Sequence, residues 1–196
     1  MEEEKKGSLP SRSGDGVRTA AGKLLELVEA FVLALAVVLL LLTFVVRHSP
    51  VVGSSMYPTL HDGDVLLVSG LGYTPETGDI VIVQSKSFGL ASPLVKRVIA
   101  VGGDVLDIDF ETWEVRVNGV LLSEPYLNHG SGSMTTQSVE HLTFPMTIPE
   151  GYLFVMGDNR QGSMDSRSEG VGLIDARYVV GRVWSRVLPT DNATTF

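Results

Sequence analysis

The chain has 196 residues, no cysteine, 44% hydrophobic residues and a formal net charge of −8. That length allows one domain of ordinary size plus an appendage. The absence of Cys excludes a thiol nucleophile, a thiolate zinc site and a disulfide scaffold. The acidic balance argues against nucleic acid as the main partner, because neutralising phosphates needs clustered Lys and Arg.

Residues 1–23 are rich in Glu, Lys, Gly and Ser and hold almost no large apolar side chain, so a disordered tail is expected. The hydrophobic excess sits in Leu24 to Val46, 23 residues interrupted only by Glu26, Glu29 and Thr43. As a helix this block spans roughly 35 Å, enough for a hydrocarbon core of about 30 Å. Both glutamates fall in the first two turns, within reach of the headgroups, and the clean apolar stretch is Ala30 to Val46. A cleaved signal peptide would have a shorter core and end at small residues. This block ends in Val45-Val46-Arg47-His48. A buried soluble helix would carry a polar stripe, which is absent after Glu29. The expectation is therefore a permanent single-pass transmembrane helix in contact with membrane lipid. Arg18 and Lys23 precede it and Arg47 alone follows closely, which favours a cytoplasmic N-terminus. Residues 47–196 then lie outside the plasma membrane. They carry ten Lys and Arg against 17 Asp and Glu, a net −7, and are numerous enough for their own core.

The outer region reads as β. Asp64 to Val68, Asp79 to Val83 and Val95 to Val101 are short, β-branched and bounded by Gly or Asp. Glu114 to Leu122 is two strands around Asn118-Gly119, the strongest short hairpin signal. Gly151 to Gly157 is a further buried strand, and Tyr178 to Trp184 is expected as the last. The polar stretch from Leu127 to His141 reads as an exposed loop. Strands without crossover helices predict a mainly β, antiparallel barrel or sandwich.

The four histidines, His48, His61, His129 and His141, show no metal-ligand spacing, so neither a metal nor a cofactor is expected. No serine sits in a Gly-x-Ser-x-Gly elbow, and Gly102-Gly103-Asp104 lacks the Gly-Lys-Ser/Thr of a phosphate loop. Lysine usage stands out instead. After the apolar block there are eight arginines but only Lys86 and Lys96. Lys86 lies in a polar loop. Lys96 lies inside a strand beside Arg97, and consecutive strand residues face opposite sides, so one of the two is directed inward. An arginine does not usefully lose its proton, whereas a buried lysine can have its pKa pulled far down and serve as a general base. A surface lysine on a one-sided sheet is the competing reading.

Val51 to Leu60 reads either as a Gly/Ser linker or as a turn fixed by Pro58 and packed through Met56 and Leu60, presenting a serine hydroxyl beside a backbone N–H. Met156 to Arg167 is a run of turn formers and charges, in which Asp165 and Arg167 can form a bidentate pair, or else a solvated loop.

Together these segments resemble the type I signal peptidases, membrane-anchored serine–lysine proteases. Gly53-Ser54-Ser55-Met56-Tyr57-Pro58-Thr59-Leu60 is similar to their nucleophile box, and Gly78-Asp79-Ile80-Val81 to the next. Lys96-Arg97-Val98-Ile99-Ala100 with Gly102-Gly103-Asp104 resembles the lysine box. Asn118-Gly119 and Glu124-Pro125-Tyr126 resemble the family's second β-domain, an inserted smaller β-region at about 105–150. Gly157-Asp158-Asn159-Arg160 through Asp165-Ser166-Arg167 resembles the final box. The resemblance implies Ser55 as nucleophile, Lys96 as general base and Ser163 as the group that orients the Lys96 amine. It implies Met56, Asp158, Asp165 and Arg167 as structural supports.

Two departures stand out. Gly53 occupies a position where some members carry an oxyanion-binding serine, so a backbone N–H near Gly53 or a water would serve beside the Ser55 N–H. Gln161-Gly162 replaces a more usual Asp-Asn pair. The implied partners are exported preproteins cut after small residues, commonly Ala, at the first and third positions before the bond. Self-cleaving repressors use the same pair, but no DNA-binding region or upstream Ala-Gly bond is present. An inactive peptide-binding β-domain would lack the Ser or the Lys.

Overall fold

A computed structural model describes residues 14–45, 47–84, 93–127, 142–189 and 193–196, with side chains in the N-terminal helix described from 22 to 40. Lys86 and the loop expected after Leu127 lie outside these residues. The chain divides into two compact units, Met1–Phe44 and Val45–Phe196.

The first unit is the helix α1, Gly14–Val45. It begins ten residues before the expected start, so residues 14–23 are helical rather than part of a disordered tail. Ala20 and Ala21, with no proline between Gly14 and Lys23, favour this upstream extension. Every described side chain from Lys23 to Leu40 is exposed, Leu24, Phe31 and Leu33 among them. Among the described residues no helix is long and apolar enough to cross a membrane. The apolar stretch that begins at Ala30 continues in sequence beyond residue 40, past the described side chains.

The second unit is antiparallel β. Its strands are β1 (Arg47–Pro50), β2 (Val65–Ser69), β3 (Ile80–Val83), β4 (Leu94–Val101), β5 (Val105–Ile108) and β6 (Val115–Val117). They continue with β7 (Val120–Leu121), β8 (Met146–Thr147), β9 (Tyr152–Met156), β10 (Ile174–Asp175), β11 (Val179–Leu188) and β12 (Thr194–Thr195). The larger sheet runs β1-β2-β11-β3-β4-β9-β10, with β12 paired to β11. The smaller runs β7-β6-β5-β8 and is built wholly from residues between Val105 and Thr147. The strand around Tyr178 to Trp184 is longer than expected and is not the last. Beyond α1, the helical structure among the described residues is a single 3₁₀ turn, Ala176–Tyr178.

Alternation explains the central strands. Ile80, Ile82 and Val95 pack on one side with Met56, Leu60 and Leu66, while Val81, Val83 and Val98 pack on the other with Val155 and Ile174. A sheet covered on both faces needs no polar alternation, which is why β3 reads Ile-Val-Ile-Val. At the far end of β4 and β9, Ile99, Phe154 and Met156 join Leu106, Ile108 and Val115 of the smaller sheet in a third core. The expected hairpin is present: Asn118 and Gly119 both take positive φ, 53° and 79°, as its two-residue turn requires.

Candidate active site

Val51 to Leu60 is a packed turn, not a linker. Val51 N–H donates to Asp64 O at 2.8 Å, and Gly63 N–H donates back to Val51 O at 3.0 Å. Met56 and Leu60 are buried in the first core and hold the turn from below. Tyr57 N–H to Ser54 O at 3.1 Å and Leu60 N–H to Met56 O at 2.9 Å close it as a tight coil. Gly53 takes a φ of +86°, and its N–H donates to Asp62 Oδ1 at 2.7 Å. Ser55 sits in this coil, and its own N–H meets no acceptor among the described residues.

Lys96 reaches Ser55 from β4. Its Nζ lies 2.7 Å from Ser55 Oγ and donates to Val95 O at 3.0 Å. The side chain is almost fully enclosed, with Lys96 only 2% exposed. Burial pulls the amine down from 10.5 to about 8; the Asp165 charge opposes the fall, Arg167 adds to it and Asp158 opposes it. A cavity of about 240 Å³ opens beside the pair, between the extended segments Ser49 to Val52 and Pro93 to Lys96.

The Met156 to Arg167 segment folds as a braced loop. Asp165 takes Arg167 Nε and Nη2 at 2.8 Å each, and also the Gly157 N–H at 2.9 Å. Burial works to raise the Asp165 carboxyl, but the Arg167 guanidinium, the Gly157 N–H and the Ser163 hydroxyl outweigh it and hold its pKa below the ordinary carboxylate value. Gly157 has no room for a Cβ, which would collide with the Ser163 side chain and the Ser55 carbonyl oxygen. Ser163 Oγ is therefore packed close to the Ser55 turn. It lies near enough to Asp165 to favour that carboxylate, yet it is buried without a hydrogen bond of normal geometry. The expected bond from Ser163 to the Lys96 amine is not made.

The Ser55–Lys96 pair lies within the region matched by one family model, that of the signal peptidases, peptidase S26, over residues 24–188. The chain is 42% identical over 164 residues to a signal peptidase I of Bacillus licheniformis, covering 81% of this chain and 85% of that one. It is 40% identical over 163 residues to signal peptidase I T of Bacillus subtilis, covering 80% and 81%. It is 34% identical over 180 residues to signal peptidase IB of Staphylococcus aureus, covering 85% and 91%. A crystal structure of a signal peptidase I from Enterococcus faecalis V583 matches at 30% identity and a TM-score of 0.45, covering 56% of this chain and 97% of that one. The chain belongs to the signal peptidase S26 family.

As a signal peptidase it is a peptide-bond hydrolase, and its loop network can be described in those terms. Arg97, next to Lys96, donates to Asp158 through Nε and Nη2 at 2.8 and 2.7 Å and to Gly78 O at 2.8 Å. Thr59 Oγ1 from the Ser55 turn donates to the same carboxylate. Asp158 thus joins β4 to the Ser55 turn. The Tyr126 ring lies 3.9 Å from the Arg97 guanidinium carbon. Glu124 forms a buried ion pair with Arg160. Sequence reading quoted Glu124 and Tyr126 only as family markers, and gave no role to Asn159 or Asp62. Their partners lie far along the chain or, for Asp62, depend on the Gly53 backbone, so spacing carries no signal for them. The neighbouring glutamate, proline and tyrosine are the one local hint.

Proposed function

We propose that this chain is a membrane-anchored serine endopeptidase that removes signal peptides from exported preproteins through a Ser55–Lys96 dyad and an acyl-enzyme. The observation that carries the reading is a buried lysine, lowered to about 8, with its Nζ 2.7 Å from a serine hydroxyl. The neutral amine takes the Ser55 proton as Oγ bonds to the scissile carbonyl carbon. The Ser55 N–H stabilises the oxyanion. The carbon–nitrogen bond then breaks, and the leaving amine takes the proton from Lys96. Lys96 next removes a proton from water, whose oxygen attacks the ester; the bond to Ser55 Oγ breaks, and Oγ takes that proton from Lys96, which is neutral again. Asp158, Asp165 and Arg167 hold the surrounding loop, Met56 holds the turn, and Ser163 packs beside it.

The cavity beside the dyad suits the small side chains expected before the cut. Residues 24–46 form the single anchor, with residues 1–23 cytoplasmic and residues 47–196 on the outer face of the plasma membrane. The exposed apolar surface of α1 on all sides supports lipid as its surroundings. Membrane lipid and preproteins are then the partners of one surface reaction. The test is the full chain in detergent, free of host peptidase, incubated with a preprotein. Ser55→Ala should abolish cleavage while circular dichroism and thermal melting stay those of the parent. Sustained turnover by that variant would refute the reading.

A further inference from the structure

Asn159 carries no role in the proposed mechanism, yet it grips both peptide groups that flank Ser55. Its backbone N–H donates to Ser55 O at 3.0 Å. Its side-chain Nδ2 donates to Ser54 O at 3.1 Å. The other end of the same amide, Oδ1, accepts the Gly162 N–H at 3.1 Å. Reversing the amide would set oxygen against Ser54 O and the NH₂ group against Gly162 N–H, so the hydrogen bonds fix one orientation. A Cβ at Gly162 would lie 2.7 Å from Nδ2, so glycine there leaves room for this amide.

The peptide group joining Ser54 to Ser55 is planar and trans, so its carbonyl and its N–H point in opposite directions. A donor that holds Ser54 O at one end therefore sets the direction of Ser55 N–H at the other. That N–H has no acceptor among the described residues, whereas Gly53 N–H is taken by Asp62. We infer that Asn159 is a positioning residue: its side-chain amide aims the Ser55 N–H at the oxyanion. This rests on the reading of Ser55 as nucleophile. No hydrogen bond joins Asn159 to the Lys96 amine, and its side-chain amide acts through the Ser54–Ser55 peptide plane.

The test compares Asn159→Asp with Asn159→Ala in the full chain in detergent. Asp keeps an oxygen for Gly162 N–H but replaces the donor to Ser54 O with an acceptor; Ala loses both. Assayed on a signal-sequence peptide, both variants should lose about 10- to 100-fold in kcat with KM changed less than about threefold, since a misaimed donor costs somewhat less than a deleted one. Affinity for a peptide boronate, whose adduct with Ser55 puts an oxygen in the oxyanion position, should fall by the same factor as kcat. Wild-type kcat in Asn159→Asp with a loss in Asn159→Ala would overturn the inference, because the amide would then serve only its own loop. A kcat loss that leaves boronate affinity intact would overturn it as well. Ser55→Ala in parallel separates the two readings: an active Ser55→Ala refutes the nucleophile itself, while an inactive one beside a fully active Asn159→Asp refutes only the aiming.

Discussion

Lys96 and Arg97 are neighbours on β4, 2% and 9% exposed, and their surroundings treat the two charges in opposite ways. Arg97 meets a carboxylate through two parallel hydrogen bonds, a carbonyl oxygen through a third, and an aromatic ring over its face. Lys96 meets a hydroxyl and a carbonyl oxygen and has no ion pair among the described residues. Two carboxylates act on it from nearby, but each is engaged by an arginine: Asp158 by Arg97 and Asp165 by Arg167. Pairing with Asp158 makes Arg97 structural. Incomplete pairing leaves burial as the dominant influence on Lys96, which loses its proton near pH 8 instead of 10.5. A cation paired with a carboxylate of its own holds a fold together. A cation without a carboxylate of its own is available for proton transfer.

The sharpest way to break the comparison is to exchange the chemistry of the two side chains. Lys96→Arg should lose activity by about 10⁴-fold or more, because a guanidinium stays protonated and accepts nothing from Ser55. Steady-state cleavage by purified variant reads this directly, and turnover within tenfold of the parent would mean that Lys96 is not the base. On the other side of the strand, Asp158→Ala leaves Arg97 buried with an unpaired charge. The expected cost is about 3–5 kcal/mol in denaturant unfolding. A loss under about 1 kcal/mol would show that water reaches Arg97 and that its pairing is not structural.

The same pair shows how far sequence reading extends. That one of Lys96 and Arg97 turns inward follows from strand alternation alone. That both are buried does not, because it requires a sheet covered on each face, and the covering residues, Met56 and Leu60 on one face and Val171 on the other, come from distant segments. The central strands and the Asn118-Gly119 hairpin are legible because their signals are local. Arg47–Pro50 and Ile174–Asp175 are edge strands, defined by their partners and not by composition, and the alternation rule passes over them. Within the site, Ser55 and Lys96 emerge from collinear resemblance and meet at hydrogen-bond distance. The Ser163 hydroxyl does not reach the amine, and the grip of Asn159 on Ser54 spans 105 positions, beyond any pattern a motif records.

The depressed Lys96 pKa sharpens the comparison through pH, in activity and in stability. Below pH 8 kcat/KM should fall about tenfold per unit as the amine takes up its proton, and it should level off above. For stability, an unfolded chain holds the Lys96 proton up to 10.5, whereas the folded chain releases it near 8. Between those values the unfolded state binds more protons, so stability rises with pH across this window. Below pH 8 both states are protonated and the whole cost of the buried cation is present, about 3 kcal/mol for a fall of this size. Lys96→Met should therefore stabilise the domain by up to about 3 kcal/mol at pH 7, a gain that fades toward pH 10.5. Urea unfolding of both proteins at each pH isolates the difference. A gain that does not change with pH would assign the effect to packing.

The smallest effect is expected at Gly53. The residue has a positive φ of +86°, yet a Cβ there would find nothing within 4 Å. Gly53→Ser thus pays only for backbone conformation, about 1–2 kcal/mol of strain, and clashes with nothing. Its N–H remains free to donate to Asp62 Oδ1, so the turn keeps its tether. The added hydroxyl is a potential second oxyanion donor beside the Ser55 N–H, and whatever it contributes offsets the strain. Turnover should therefore change by less than about tenfold in either direction, well short of the loss that follows deletion of an established donor. The check is kcat for Gly53→Ser with circular dichroism and melting measured on the same preparation. A hundredfold loss in a folded variant would mean that the left-handed conformation at Gly53 itself shapes the oxyanion site. The Ser55 N–H would then not act alone, and Asp62, which holds that conformation through the Gly53 N–H, would be its support.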